Sequence, residues 1–149
     1  MTRFAYLFHI VGFVLWLGGG LASMLIGIRG RREERAVQGA VARLQAALHR
    51  SLVIPGALLT VFSGGYLSGP VMRAGAPSAW LIIMQIAGVV AALLVFFVSG
   101  PTSVRLARIQ PVGETGALFD AVRKKLAVAG SIAGTLGLLS LVAGVLHKY

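Results

Sequence analysis

The chain has 149 residues, of which 57% are hydrophobic and only 12% are charged, and its mean hydropathy is +0.87. These values are typical of an integral membrane protein and exclude a soluble domain with a polar shell. The absence of cysteine excludes disulfides, thiolate metal sites and iron–sulfur clusters. The net charge of +10 comes from basic residues between apolar runs, so anionic lipid headgroups are the expected partner and nucleic acid is not.

Four apolar runs are long enough to cross a bilayer, and they cover residues 4–28, 51–72, 80–100 and 126–146. Because a bilayer offers the backbone no hydrogen-bonding partners, each run is predicted to be a helix. The first run is too long for the apolar part of a signal peptide, so we expect it to remain as a spanning helix. The sequence therefore predicts an all-α fold, an up-down bundle of four transmembrane helices in one domain over residues 1–149.

The basic residues predict how the bundle is oriented. Eleven lie in the connections after the first and third runs: Arg29, Arg31, Arg32, Arg35, Arg43, Arg50, Arg105, Arg108, Arg123, Lys124 and Lys125. Arg3, Arg73 and Lys148 lie on the other side. The positive-inside rule then places both longer connections in the cytoplasm and both termini outside. We expect the protein in the inner, cytoplasmic membrane.

The connection after the first run is predicted to lengthen the second helix, which we expect from about residue 36 to 67. Four aliphatic residues recur there at helical spacing and indicate a helix, with polar residues elsewhere on the wheel: Val37, Val41, Leu44 and Leu48. Pro55 lacks an N–H donor and crowds the carbonyl of Ser51, so a bend is expected at that point.

The third helix is predicted to run past Pro101 toward Ile109 after a kink or break, with a turn at 111–113. We expect the fourth helix to begin near Thr115, with Asp120 and Lys124 paired at i,i+4. The short connection at 69–79 requires helices two and three to be antiparallel neighbours.

Small residues form a stripe along the fourth run, which ends in a histidine: Gly130, Gly134, Gly137, Ser140, Gly144 and His147. The stripe predicts close contact between helices. The alternative is a groove for a flat cofactor, which also needs an absence of side chains.

One face of the first run carries His9, Gly12, Trp16, Gly19 and Ser23. A histidine in hydrocarbon is costly unless it points into the bundle and finds a partner. Neutral imidazole is a good ligand for haem iron, copper or zinc. His9 is therefore the candidate metal ligand, and the alternative is a packing histidine that donates to a helix carbonyl or to Gln85.

Counting residues from the outer end of each apolar run places further polar residues at about the depth of His9, in the outer half of the bundle. The candidate cofactor-binding residues are His9, Gly12, Trp16, Tyr66, Gln85 and His147. The expected cofactor is haem b, with copper or no cofactor as the alternatives. His49 lies beside Arg50 at the cytoplasmic boundary and is predicted to contact headgroups.

The apolar runs contain no aspartate or glutamate, which argues against proton-coupled transport. The sequence offers no Ser/His/Asp set and no phosphate-binding or dinucleotide-binding glycine loop on a strand–helix unit. No catalytic residue is predicted, and the sequence leans away from an enzyme.

The segment 8–19, with its His-xx-Gly-xxx-Trp-x-Gly spacing, resembles the first helix of the clan that holds CopD-type copper-resistance domains and HemJ-type protoporphyrinogen oxidases. The segment 52–67, with Pro55 and a Ser-Gly-Gly-Tyr-Leu ending, resembles that clan's second helix. The resemblance implies a membrane bundle in which His9 handles haem, porphyrin or copper.

The resemblance is closest to that clan's branch of small predicted membrane proteins. Met84 and Gln85 stand near the positions where HemJ-type enzymes are expected to carry a lysine and a later histidine. Lys124, Lys125, Leu126 and Ala127 replace the expected Asn-Glu-x-Pro feature. Protoporphyrinogen oxidation is therefore not predicted.

Two functions follow from the sequence. The first is a redox or accessory membrane protein that binds b-type haem or a metal in the outer half of the bundle. The second is a cofactor-free structural or accessory subunit, packed in a larger membrane complex or in a homo-oligomer.

Overall fold

The computed structural model of the protein describes residues 2–75 and 77–146, and in that part of the chain every regular element is helical. Four long helices are present, and each is long and apolar enough to cross a membrane: Thr2–Gly30, Arg35–Arg73, Ala79–Arg108 and Gly113–Leu146. We refer to them as the first to fourth helices. The predicted all-α fold with four candidate spans is confirmed.

The outward sides of these helices are strongly apolar. Phe62 and Phe97 are 73% and 75% exposed, and many leucine, isoleucine and valine side chains are also exposed. Large apolar surfaces of this extent are not stable in water. The bundle is therefore built as a multi-pass membrane protein, with its exposed side chains in lipid.

The second and third helices continue through their prolines, as predicted, because each contains one turn of π-helix directly before the proline. These turns are His49–Val53, before Pro55, and Val95–Ser99, before Pro101. The N–H of Ile54 donates to the carbonyl of His49, and the N–H of Gly100 donates to that of Val95. Each bond spans five residues instead of four, which accommodates the proline without ending the helix.

The first helix packs mainly on the second, and the third packs mainly on the fourth. One core cluster lies near the middle of the bundle: Trp16, Val53, Ala57, Ala91, Ala92, Val95 and Ala133. A second cluster lies toward the end that carries the connections at 31–34 and 109–112: Ala42, Leu106, Phe119, Val122 and Leu126. We call this end the basic end. Helices two and three contact each other most there, as neighbours.

The connections have the expected turn chemistry. Gly75 and Gly113 both have positive φ, at 76° and 67°, a backbone conformation that glycine adopts without strain. Ser78 caps the third helix by accepting from the N–H of Leu81 at 3.2 Å. The turn predicted at 111–113 and the start of the fourth helix near Thr115 are confirmed.

The first part of the second helix is helical, as its aliphatic spacing predicted. Val37 and Leu44 are nevertheless exposed, whereas Gln38 and Gln45 are buried. Gln45 Nε2 donates to the carbonyl of Ser23 at 2.9 Å, so the amide is satisfied inside the bundle.

Candidate functional site

His9 lies on the side of the first helix that faces the second helix. Its Nδ1 is 3.0 Å from the carbonyl oxygen of Thr60 and 3.2 Å from Ser63 Oγ. A carbonyl oxygen only accepts, so Nδ1 carries the proton and donates it. Nε2 then keeps its lone pair, and it has no hydrogen-bond partner among the described residues.

The environment on the second helix holds the imidazole of His9 in place. The Ser63 hydroxyl donates to the carbonyl of Leu59, which leaves its oxygen free to accept from His9. Gly64 leaves room for the ring, because a Cβ there would lie 3.0 Å from His9 Cε1. The tautomer and the orientation of the ring are therefore both set by the second helix.

Two glycines allow the first and second helices to approach closely just below His9. A Cβ on Gly56 would lie 2.5 Å from the backbone nitrogen of Trp16 and 2.7 Å from the carbonyl oxygen of Gly12. A Cβ on Gly12 would lie 2.8 Å from the Thr60 nitrogen. This backbone-to-backbone crossing brings the carbonyl of Thr60 within reach of His9.

The predicted inward face of the first helix is buried as expected. Gly12, Trp16, Gly19 and Ser23 are all buried, and Trp16 is only 3% exposed. The backbone of the second helix packs directly against Gly12, and Trp16 lies in the core cluster. The macrocycle of haem therefore does not fit between the first and second helices at these two residues, contrary to the prediction. A group held by His9 would bind through Nε2, the ring nitrogen that has no hydrogen-bond partner in the described chain.

The other predicted site residues are not assembled around His9. Gln85 is half-buried on the third helix and makes no hydrogen bond to His9, whose partners are Thr60 and Ser63. Tyr66 is 58% exposed. The prediction for His147 lies outside the described residues.

The ligands available at His9 fit haem better than a copper or zinc ion. Within residues 2–75 and 77–146, no three His, Asp or Glu side chains lie close enough to hold a metal ion together. Copper and zinc sites need several protein ligands, whereas the macrocycle of haem supplies four ligands itself. A single imidazole with a free Nε2 and a hydrogen-bonded Nδ1 fits the axial position of haem.

The small-residue stripe on the fourth helix divides into two parts. Toward its end, Ser140 Oγ donates to the Met84 carbonyl at 2.9 Å, and a Cβ on Gly144 would lie 3.0 Å from Met84 Sδ. Gly130 and Gly134 have nothing within 4 Å of such a Cβ. A Cβ on Gly137 would lie 3.0 Å from Leu17 Cδ2, so the contact predicted between helices is present from Gly137 to Gly144 and absent at Gly130 and Gly134.

The basic end carries a groove that sequence reasoning did not find. It lies between the second and third helices, has a volume of about 550 Å³, and is lined partly by Arg50, Arg105 and Arg108. His49 also lines it and is only 5% exposed, with Nδ1 2.9 Å from the Gln45 carbonyl oxygen. The positive charge of Arg50, Arg105 and Arg108 is visible in the sequence, but it predicts only the orientation of the bundle and contact with headgroups, and not a groove.

The fourth helix is tied to the second at this end, and the predicted Asp120–Lys124 pair is wrong. Arg35 binds both carboxylate oxygens of Asp120 at 2.9 Å, and Arg123 binds Oδ1 at 2.9 Å. The paired donors of Arg35 hold the pKa of the Asp120 carboxyl below its ordinary value. The carboxylate prefers a planar guanidinium with two donors to the single ammonium of Lys124.

Comparisons of the chain with protein-family models, with curated proteins and with solved structures find no match.

Proposed function

We propose that the protein binds b-type haem through His9 and serves as a redox or accessory component of the inner, cytoplasmic membrane. The observation that supports this most directly is the state of the imidazole. Its Nδ1–H donates to the Thr60 carbonyl at 3.0 Å, and its Nε2 lone pair has no partner in the described chain. Histidines that bind metals typically have this arrangement.

The residues around His9 have separate roles in the proposal. Thr60 and Ser63 hold the ring in place by accepting from Nδ1. Gly12 and Trp16 fix the helix crossing that places those acceptors. Haem bound there would supply one-electron transfer, which the side chains of this chain do not provide.

The proposed orientation puts His9 in the outer half of the membrane. It follows from the eleven basic residues of the connections after the first and third apolar runs, which the positive-inside rule assigns to the cytoplasm. Both termini then lie on the outer side. The resemblance of the first two helices to the CopD-like and HemJ-like clan also favours a porphyrin or metal at His9.

The test is a visible spectrum of the purified, haem-supplemented protein, with and without dithionite. We expect a Soret band that shifts on reduction in the wild type and is lost in His9→Ala. His49→Ala is the matched control, because it removes a histidine of the basic end and should leave the spectrum unchanged. Absence of a Soret band from the wild type, or an equal spectrum in His9→Ala, would contradict the proposal.

A second candidate is a cofactor-free accessory subunit of a larger membrane complex or homo-oligomer. Five glycines on the helix surfaces favour it, because a Cβ added at each would have no atom of another helix within 4 Å: Gly18, Gly20, Gly65, Gly130 and Gly134. Such positions allow another helix to approach closely. Native mass measurement after gentle extraction separates the two: a larger assembly without haem supports the second candidate, and a haem-bearing monomer contradicts it.

A further inference from the structure

We propose that the groove at the basic end binds the phosphate headgroup of an anionic phospholipid, whose acyl chain follows the apolar wall of the groove. The groove lies between the second and third helices and holds about 550 Å³. It is remote in sequence from His9 and its partners, so the inference does not depend on haem binding.

The groove combines basic and apolar walls. Arg50 comes from the second helix, and Arg105 and Arg108 come from the last turns of the third. Ile54 and Phe96 line the same space. An anionic head with an apolar tail matches this pairing, whereas a free phosphate would leave the apolar wall unused.

The charges of the groove are uncompensated within the described chain. Arg50, Arg105 and Arg108 form no ion pair there, since both recorded ion pairs belong to Asp120. No aspartate or glutamate is among the residues that line the groove. A phosphate is therefore the complementary ligand, and arginine is well suited to bind its oxygens in pairs.

His49 adds a polar group to the groove wall. Its Nδ1 is engaged with the Gln45 carbonyl, and its Nε2 has no partner in the described chain. The buried ring of His49 therefore forms part of the groove wall, and the three arginines supply the positive charge that a phosphate requires.

The two π-helical turns build the groove. His49 opens one turn, and Gly100 directly follows the other. A Cβ on Gly100 would lie 3.1 Å from Ile54 Cδ1, so the glycine lets the helices meet there. Arg50, within the first turn, and Arg105 and Arg108, which follow the second, thereby line the same opening.

Native mass spectrometry of the full chain in detergent tests the proposal, with phosphatidylglycerol, phosphatidylcholine and inorganic phosphate as separate probes. The variant R50Q/R105Q/R108Q removes three positive charges from the groove. The matched control R32Q/R43Q/K125Q removes the same charge from exposed residues of the basic end outside the groove. Circular dichroism and gel filtration check the fold of both variants.

We expect the wild type and His9→Ala to bind about one phosphatidylglycerol per chain saturably, with little binding of the other two probes. The groove variant should bind at least about tenfold more weakly, because each arginine contributes to headgroup affinity. The control should stay within about twofold. If the triple variant does not fold, Arg105→Gln alone should weaken binding by about fivefold.

Three outcomes would overturn the proposal. Equal losses in the two charge-matched variants would mean general electrostatic attraction. Equal binding of phosphatidylcholine would remove the role of the arginines. Inorganic phosphate bound as tightly as the lipid would identify a site for soluble anions.

Discussion

At the residue scale, the position of His9 is set less by its own helix than by the backbone of the second helix. Gly12 and Gly56 bring the two backbones together, and this contact places the Thr60 carbonyl 3.0 Å from His9 Nδ1. The sequence indicated that His9 points inward and needs a partner. It did not identify Thr60, because every residue of a helix has a carbonyl and only the packing decides which one is reachable.

Gly56→Ala is predicted to destabilise the protein. The added Cβ would lie 2.5 Å from the backbone nitrogen of Trp16, so the first and second helices must separate. Overpacking of this kind costs about 1–3 kcal/mol of unfolding free energy. Thermal unfolding of the purified protein should therefore show a lower Tm.

Gly65→Ala is the control for this substitution, because it adds the same methyl group to the same helix in open space. It should leave the stability unchanged or raise it by up to about 1 kcal/mol, since alanine favours helix. Equal Tm changes in the two variants would show that the crossing at Gly56 does not control stability.

At the element scale, the π-helical turns explain how two proline-containing helices cross the membrane without a break. The sequence predicted that both helices run past their prolines, with a bend at Pro55 and a kink or break at Pro101. It did not predict the form of the disturbance, because a proline removes the same hydrogen bond whether the helix kinks or widens. The second turn also leaves a buried polar group, since Ser99 Oγ is 1% exposed and has no hydrogen-bond partner in the described chain.

Ser99→Ala is predicted to stabilise the protein by about 1 kcal/mol, because it removes an unsatisfied buried hydroxyl. Ser103→Ala serves as the control: Ser103 is equally buried, but its hydroxyl donates to the Gly100 carbonyl at 2.7 Å. The Tm of Ser99→Ala should be higher than that of the wild type, whereas the Tm of Ser103→Ala should not. A similar rise in both variants would mean that helix propensity, and not the unpaired hydroxyl, is responsible.

The buried face of the second helix near the basic end belongs to the same scale. The spacing of Val37, Val41, Leu44 and Leu48 correctly predicted a helix, because periodicity reports the backbone. It did not predict which side is buried, because neighbouring segments supply hydrogen-bond partners for Gln38 and Gln45 inside the bundle. For a membrane helix, the direction of the apolar face depends on the neighbouring helices.

At the scale of the whole molecule, the number of candidate spans was predictable because length and apolarity alone determine a span. The end of the second helix was not, since it was expected near residue 67 and the helix continues through Pro70 to Arg73. The arrangement of Gln85 and Tyr66 relative to His9 was not predictable. Equal depth in the membrane gives no information on the rotation of each helix. The groove between Arg50 and the third helix was missed for the same reason.

The proposed orientation predicts the labelling of single cysteines, for which the natural chain is a clean background because it has none. Ala74→Cys, in the connection between the second and third helices, should react with a membrane-impermeant maleimide in intact cells. Glu33→Cys, in the connection after the first helix, should react only after lysis. Both residues are exposed, so accessibility differs only by side. The reverse labelling pattern would contradict the proposed topology.

The π-helical turn His49–Val53 also fixes an angular relationship along the second helix. One residue corresponds to about 100° of rotation in an α-helix, so one inserted residue offsets everything that follows it by that angle. Gln45 lies before the turn and faces Ser23, and Thr60 lies after it and faces His9. The turn therefore sets the phase at which one helix presents both of these polar groups to the same neighbour.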